Sequence, residues 1–247
     1  MKILATYSIK GGVGKTTAAV NLAYEAARTG SRVLVWDLDP QGAATYFFRV
    51  RPKVKGGTRR LVGSKGDLSE HIRASDLPSV HIVPADFSLR HLDLHLDGSR
   101  RPRDRLAGLL SGIEDRYDVG FLDCPPSISL ASESVFGAAD VLLVPVIPST
   151  LSMRTLVQLS EFLRHQEPAP QLLPYLSMVD GRKRLHREVM EVLRADWPGL
   201  LAATIPGASA VERMGQERAA IGAFAPSSPA ARCFALLWAE ISAHLWP

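Results

Sequence analysis

Ile9-Lys10-Gly11-Gly12-Val13-Gly14-Lys15-Thr16-Thr17 decides how the rest of the chain reads. An apolar run from Ile3 to Ser8 leads into it. A helical pattern follows, from Lys15 through Ala18, Leu22, Ala26 and Ala27, and stops at Gly30. Glycines between a strand and a helix let backbone N–H groups converge on an anion, and the helix N-terminus adds its dipole. Strand, glycine turn and helix is the order that a phosphate-binding loop requires. In such a loop Lys15 would reach the terminal phosphates of a nucleotide, and the Thr16 hydroxyl would ligate Mg²⁺. The general pattern G-x-x-x-x-G-K-[ST] is not met, because Ile9 stands where its first glycine belongs. The narrower pattern K-G-G-x-G-K-T stands in its place, with an additional lysine, Lys10.

Further apolar runs appear at Arg32–Asp37, Val80–Pro84, Val119–Asp123, Val141–Val146 and Leu172–Met178. Helical spacing fills the intervals, as at Leu156, Leu159, Phe162 and Leu163. This alternation predicts βαβ units: an α/β fold with a mostly parallel twisted sheet and helices on both faces. No linker divides residues 1–247, so one domain is expected. Ligands of such sheets bind beyond the carboxyl ends of the strands. Three runs end there in phosphate or metal chemistry: the glycine loop, Asp37-Leu38-Asp39 and Asp123.

Composition narrows the class. Of 247 residues, 46% are hydrophobic and 22% charged, the balance of a soluble globular protein rather than a disordered one. No stretch of about 18 uncharged apolar residues predicts a membrane-spanning helix. The opening residues lack a signal-peptide cleavage pattern, and the two cysteines, Cys124 and Cys233, are too few for a disulfide framework or a four-thiolate site. A cytoplasmic location is the expectation. Cys124 reads as a small buried hydrophobe, and His91 and His95 as surface or cap positions. Net charge is only +4, but Arg49–Lys65 holds seven basic residues and no acidic one. That run is either a solvated loop or an anion-facing surface.

The loop resembles the deviant Walker A motif of the ParA/MinD family of P-loop ATPases. Asp37-Leu38-Asp39-Pro40-Gln41-Gly42 is similar to the family's switch segment, and Tyr117–Ser127 to its Walker B strand and second switch. The match spans about the first 150 residues, and Ser177-Met178-Val179-Asp180 extends it. The resemblance implies ATP and Mg²⁺ as cofactors, held by Lys10, Gly11, Gly12, Val13, Gly14, Lys15, Thr16 and Thr17. Lys10 would cross a two-fold interface to the partner subunit's nucleotide, Asp39 would orient the attacking water, and Asp123 with Thr16 would hold the metal. Asp37 would support the metal or the switch geometry. The adenine would lie near Met178, Asp180 and Pro206, with Met178 read either as a base contact or as plain core. The family's Pro-Arg-Asn element reads Pro206-Gly207-Ala208 here, without the asparagine.

The Asp-Pro-Gln element is similar to that of ParA-type partition ATPases. These would dimerise with ATP, bind DNA without sequence preference at the nucleoid, and be released by hydrolysis that an adaptor or centromere-binding protein stimulates. The alternative is a MinD-like ATPase on a membrane surface. Phe234, Leu237, Trp238, Ile241 and Leu245 form one helical face, but Arg232 is the only Lys or Arg from Pro229 onward. A membrane-surface helix needs basic flanks, so the stripe is expected to pack on the sheet and no stable membrane anchor is expected. Arg182, Lys183, Arg184, Arg187, Arg213 and Arg218 are the candidate DNA contacts, with the Arg49–Lys65 run as the rival.

Overall fold

Strands without exposed side chains can sit only in the middle of a sheet, and the four most apolar ones do. A computed structural model describes residues 1–63 and 66–246; Lys65 of the basic run lies outside the described residues. The strands are β1 (Lys2–Thr6), β2 (Val33–Asp37), β3 (Arg73–Ala74), β4 (Val80–Val83), β5 (Val119–Asp123), β6 (Val141–Val146), β7 (Gln171–Val179) and β8 (Thr204–Pro206). They form one sheet in the order β3-β4-β2-β5-β1-β6-β7-β8. Every pairing is parallel except β3 with β4. The expected α/β fold is the observed one. Pro145 survives in an inner strand because β1 pairs only with Val141–Leu143, so no ladder bond to β1 is lost at its ring.

Two apolar cores cover the two faces. One packs the helices Lys15–Arg28 and Pro229–Leu245 against residues such as Leu4, Val35 and Phe121. The other packs the helices Leu130–Ala138, Thr150–Leu163 and Arg184–Asp196 against Ala5, Trp36 and Leu142. Gly30 ends the first helix as its position in the sequence suggests. It adopts φ 99°, its N–H donates to Ala27 at 3.0 Å, and the N–H of Ser31 donates to Ala26 at 3.0 Å. This pair of bonds satisfies carbonyls that the helix end would otherwise strand.

The C-terminal stripe is internal. Phe234, Leu237, Trp238, Ile241 and Leu245 are all buried, and the Trp238 indole donates to Thr29 Oγ1 at 3.0 Å. Ser228 caps this helix by accepting from the N–H of Ala231 at 3.2 Å, and Pro229 occupies its first turn, where a missing N–H costs nothing. Cys124 is buried, and no group of three or more His, Cys, Asp or Glu side chains placed to hold a metal ion exists among the described residues. The His91 and His95 rings merely neighbour each other at 6.4 Å.

Candidate nucleotide and metal site

The glycine loop leaves β1 and opens the helix Lys15–Arg28, with Gly12 at φ 69° and Gly14 at φ 98°. Gly14 caps that helix without a side chain, so the first-turn N–H groups remain available to an anion. β7 holds the loop in place: Ser177 Oγ donates to the Val13 carbonyl at 2.9 Å. A Cβ on Gly14 would lie 3.1 Å from that hydroxyl, and φ 98° is a conformation that side-chain-bearing residues rarely adopt. Gly14→Ala should therefore lower stability by about 1–3 kcal/mol and weaken nucleotide binding, measured by urea unfolding and by nucleotide titration.

Lys15 is a buried cation, 7% exposed, whose Nζ donates to the Lys10 carbonyl of its own loop at 3.2 Å. Burial pulls its pKa down, and the nearby Asp123 carboxylate is the main opposing influence. Strand register explains the carboxylate. β2 and β5 place Asp37 opposite Asp123, and β5 and β1 place Asp123 opposite Thr6. Both aspartates are fully buried. Asp37 is fully engaged: Oδ2 accepts from the N–H and hydroxyl of Thr45 at 2.8 and 2.7 Å, and Oδ1 from the N–H of Asp39 at 3.2 Å. Burial still pushes its carboxyl up to about 6.

Asp123 is less provided for. Oδ1 accepts from Thr6 at 3.3 Å, while Oδ2 is buried with no hydrogen-bond partner. Burial and the Asp37 charge push its pKa well up, and the Thr16 hydroxyl beside it works the other way. An orphaned carboxylate oxygen next to a hydroxyl, with a second carboxylate adjacent, is a hard-oxygen donor set short of positive charge. It suits a small divalent cation. Asp39 sits at the mouth of the same corner, half-buried, its Oδ1 accepting from the N–H of Gln41 at 2.9 Å.

Residues 1–170 match the AAA_31 family of AAA domains. The sporulation initiation inhibitor Soj of Bacillus subtilis is 31% identical over 199 residues, covering 78% of this chain and 79% of its own. The chromosome-partitioning ATPase Soj of Thermus thermophilus is 33% identical over 249 residues, covering 98% of this chain and 96% of its own. The chain belongs to the ParA/MinD family of P-loop ATPases. Among solved structures, cobyrinic acid a,c-diamide synthase of Mycobacterium smegmatis, with bound ATP analog and magnesium, superposes with a TM-score of 0.82 at 24% identity. The overlap covers 100% of this chain and 96% of that one, and at that identity the likeness is one of fold.

In this ParA/MinD-family ATPase, Met178 is not core. It is 44% exposed at φ 54°, where a register irregularity interrupts the pairing of β7 with β8. Pro206 pairs with Val179, so the sheet edge brings Met178 and Pro206 together beside the loop-pinning Ser177. Asp180 turns away to Arg182, whose guanidinium bonds hold its carboxyl down to about 2. Two residues that the sequence did not single out also support the site. Thr45 fixes Asp37 and accepts from the N–H of Ala85 at 2.8 Å. Tyr7, buried at the exit of β1, donates to the Ser127 carbonyl at 2.8 Å, and burial pushes its phenol up to about 12.

The six candidate DNA contacts do not form an open positive face. Arg182 pairs with Asp180 at 2.9 Å, Arg184 with Glu188 at 2.6 Å and Arg213 with Glu217 at 2.8 Å. Arg187 donates to the Gly181 carbonyl at 2.8 Å, and Arg218 donates to the Tyr46 carbonyl and lies over the Tyr46 ring at 4.4 Å. Lys183 alone among them has no ion-pair or hydrogen-bond partner for its side chain among the described residues. Arg49 of the rival run joins this region, donating to the carbonyls of Glu217 and Arg218.

Proposed function

We propose that this ATPase runs a nucleotide-driven positioning cycle in which the ATP-bound form is a dimer, binds DNA of any sequence, and is released when ATP is hydrolysed. One observation carries the reading. The K-G-G-V-G-K-T loop, Asp39 and the orphaned oxygen of Asp123 meet at the carboxyl ends of three adjacent strands. Two relatives named Soj, one of them a chromosome-partitioning ATPase, support partition of a cargo over the nucleoid. An adaptor or centromere-binding protein would stimulate turnover. The buried C-terminal stripe favours this over a MinD-like cycle on a membrane.

In this reading the loop N–H groups from Gly11 to Thr17 receive the phosphates, and Lys15 leaves its intraloop carbonyl to meet them. Thr16 and Asp123 hold Mg²⁺, which offsets phosphate charge when bound. Asp37, its oxygens already engaged, holds the Asp39 turn against Thr45. Asp39 orients the attacking water and accepts its proton. Met178 and Pro206 flank the adenine at the sheet edge.

Lys10 is assigned to the partner subunit's phosphates, the role an arginine finger plays elsewhere. Lys10→Ala should bind ATP as a monomer yet lose most of the ATP-dependent dimer or its turnover, read by size exclusion and phosphate release. Titrating Lys10→Ala into a Lys15→Ala subunit separates the geometries. Activity that follows the fraction of mixed dimer supports action in trans, whereas indifference to the partner's genotype sinks the two-fold arrangement.

A further inference from the structure

We propose that the groove between the helices Gly57–Leu61, Leu92–Asp97 and Arg105–Ser111 receives the phosphodiester backbone of duplex DNA through Arg59, Arg100 and Arg101. The inference rests on the DNA-binding reading above and gives it a site. The groove has a volume of about 1070 Å³ and, among the described residues, one acidic residue in its lining, Asp104. Arg59, Arg100 and Arg101 are exposed and have no ion-pair partner among the described residues. Arg105 lies deeper, donating to the Val62 carbonyl at 3.0 Å and to the Gly63 carbonyl, so its fork is fixed to the floor. The Ser99 hydroxyl, also in the lining, is buried without a hydrogen-bond partner.

The chemistry of the walls selects the ligand. Free guanidinium forks match phosphate oxygens in pairs. Among the described residues no Phe, Tyr or Trp lines the groove and His95 is its one ring, so charge outweighs stacking surface there and a phosphate backbone is favoured over an unpaired base. Charge without a base reader is what sequence-independent backbone binding requires. The contrast with Arg182, Arg184 and Arg213 is direct, since a phosphate arriving there must first displace a carboxylate.

The groove is also wired to the nucleotide corner. Asp93, on one of its helices, accepts from the N–H of Ala131 at 2.7 Å. Arg103 pairs with Glu133 at 2.6 Å, and the N–H of Leu106 donates to Ser134 at 3.3 Å. All three contacts land on the helix Leu130–Ala138, which follows the Asp123–Ser127 segment. Nucleotide that rearranges that segment therefore acts on the groove walls through direct bonds.

The test is fluorescence anisotropy of the full chain, with ATP and Mg²⁺, on a labelled duplex of random sequence across a salt series. Arg100→Glu with Arg101→Glu should lose at least ~10-fold in affinity and about 2 in the slope of log affinity against log salt, near 0.9 per phosphate contact. Arg184→Glu with Arg187→Glu, an equal change of charge, should bind close to the unaltered chain. The neutral pair Arg100→Gln with Arg101→Gln guards against misfolding, and DNA-free ATP turnover and thermal midpoint report integrity. Groove variants that bind DNA normally, or loss confined to the Arg184/Arg187 variant, overturn the site while leaving the function standing. Competition by poly-glutamate that exceeds competition by polyphosphate would point to an acidic protein partner and also overturn it. If the unaltered chain binds no DNA with ATP, the DNA reading itself falls and takes this inference with it.

Discussion

Lys15→Ala should abolish ATP binding at working concentrations, with affinity falling on the order of 10³-fold, about 4 kcal/mol. Three features set that size. The ammonium is buried, so its attraction to phosphate is weakly screened. Among the described residues its ammonium donates only to the Lys10 carbonyl, a neutral acceptor that phosphate readily replaces. And it faces Asp123, with Asp37 beside it, so its removal leaves two buried carboxylates with less to offset them. Truncating one partner of a buried hydrogen-bonded charge pair costs about 2–5 kcal/mol or more. A fluorescent ATP analogue would measure the loss, and a thermal scan of the apo protein would show that the variant folds. Affinity within threefold of the unaltered chain would refute the loop assignment.

Much of this corner was legible because its signals are local and redundant. A glycine loop needs no tertiary context to be recognised, and Asp37, Asp39 and Asp123 end apolar runs whose composition already demands burial. The inner strands could be read for the same reason. β3 and β8 could not: Arg73–Ala74 is exposed on both residues, and Thr204–Pro206 is three residues long, too short for any period to register. Ser177 stands in the sequence only as part of the resembling Ser177–Asp180 segment, and its role as a clamp comes from β7 passing under the loop 164 residues away. Met178 was hard for a related reason, because only the irregular pairing with β8 turns it outward.

Charge was harder to read from the sequence, because ion pairing depends on the fold. Arg184 with Glu188 and Arg213 with Glu217 stand four apart on helices, the spacing at which opposite charges meet. Glu188 and Glu217 are therefore partners of those two arginines. The described part of the Arg49–Lys65 run, from Arg49 to Arg60, divides instead of acting as one surface. Arg49 caps a distant helix end, Arg60 pairs with Glu70 at 2.8 Å, and Arg59 joins Arg100 and Arg101 in the groove. The adjacent pair Arg100-Arg101 follows the helix Leu92–Asp97, and only the fold brings Arg59 from the helix Gly57–Leu61 to the same groove.

Asp39→Ala should retain ATP affinity within a few fold while turnover falls by about 10²–10⁴-fold, the range spanned by loss of a positioned general base. The separation follows from where Asp39 sits. Among the described residues it makes no hydrogen bond to Lys15 or the loop N–H groups; its side chain accepts only from the N–H of Gln41, while its backbone N–H donates to Asp37 and its carbonyl accepts from the N–H of Gly42. Removing the carboxylate leaves the backbone donor in place, so the Asp37–Thr45 anchor and the buried corner should persist. Binding is then intact and the step after it is blocked, which makes the ATP-bound dimer accumulate. Size exclusion with ATP would show the dimer peak, and single-turnover phosphate release would show the missing step. Asp39→Asn discriminates further: it preserves size and the Oδ1 acceptor but not the basicity. Turnover near that of the Ala variant indicates a base, whereas near-normal turnover would mean that Asp39 orients the water without taking its proton. If Asp39→Ala hydrolyses ATP at the unaltered rate, the water-activating group lies elsewhere in the corner.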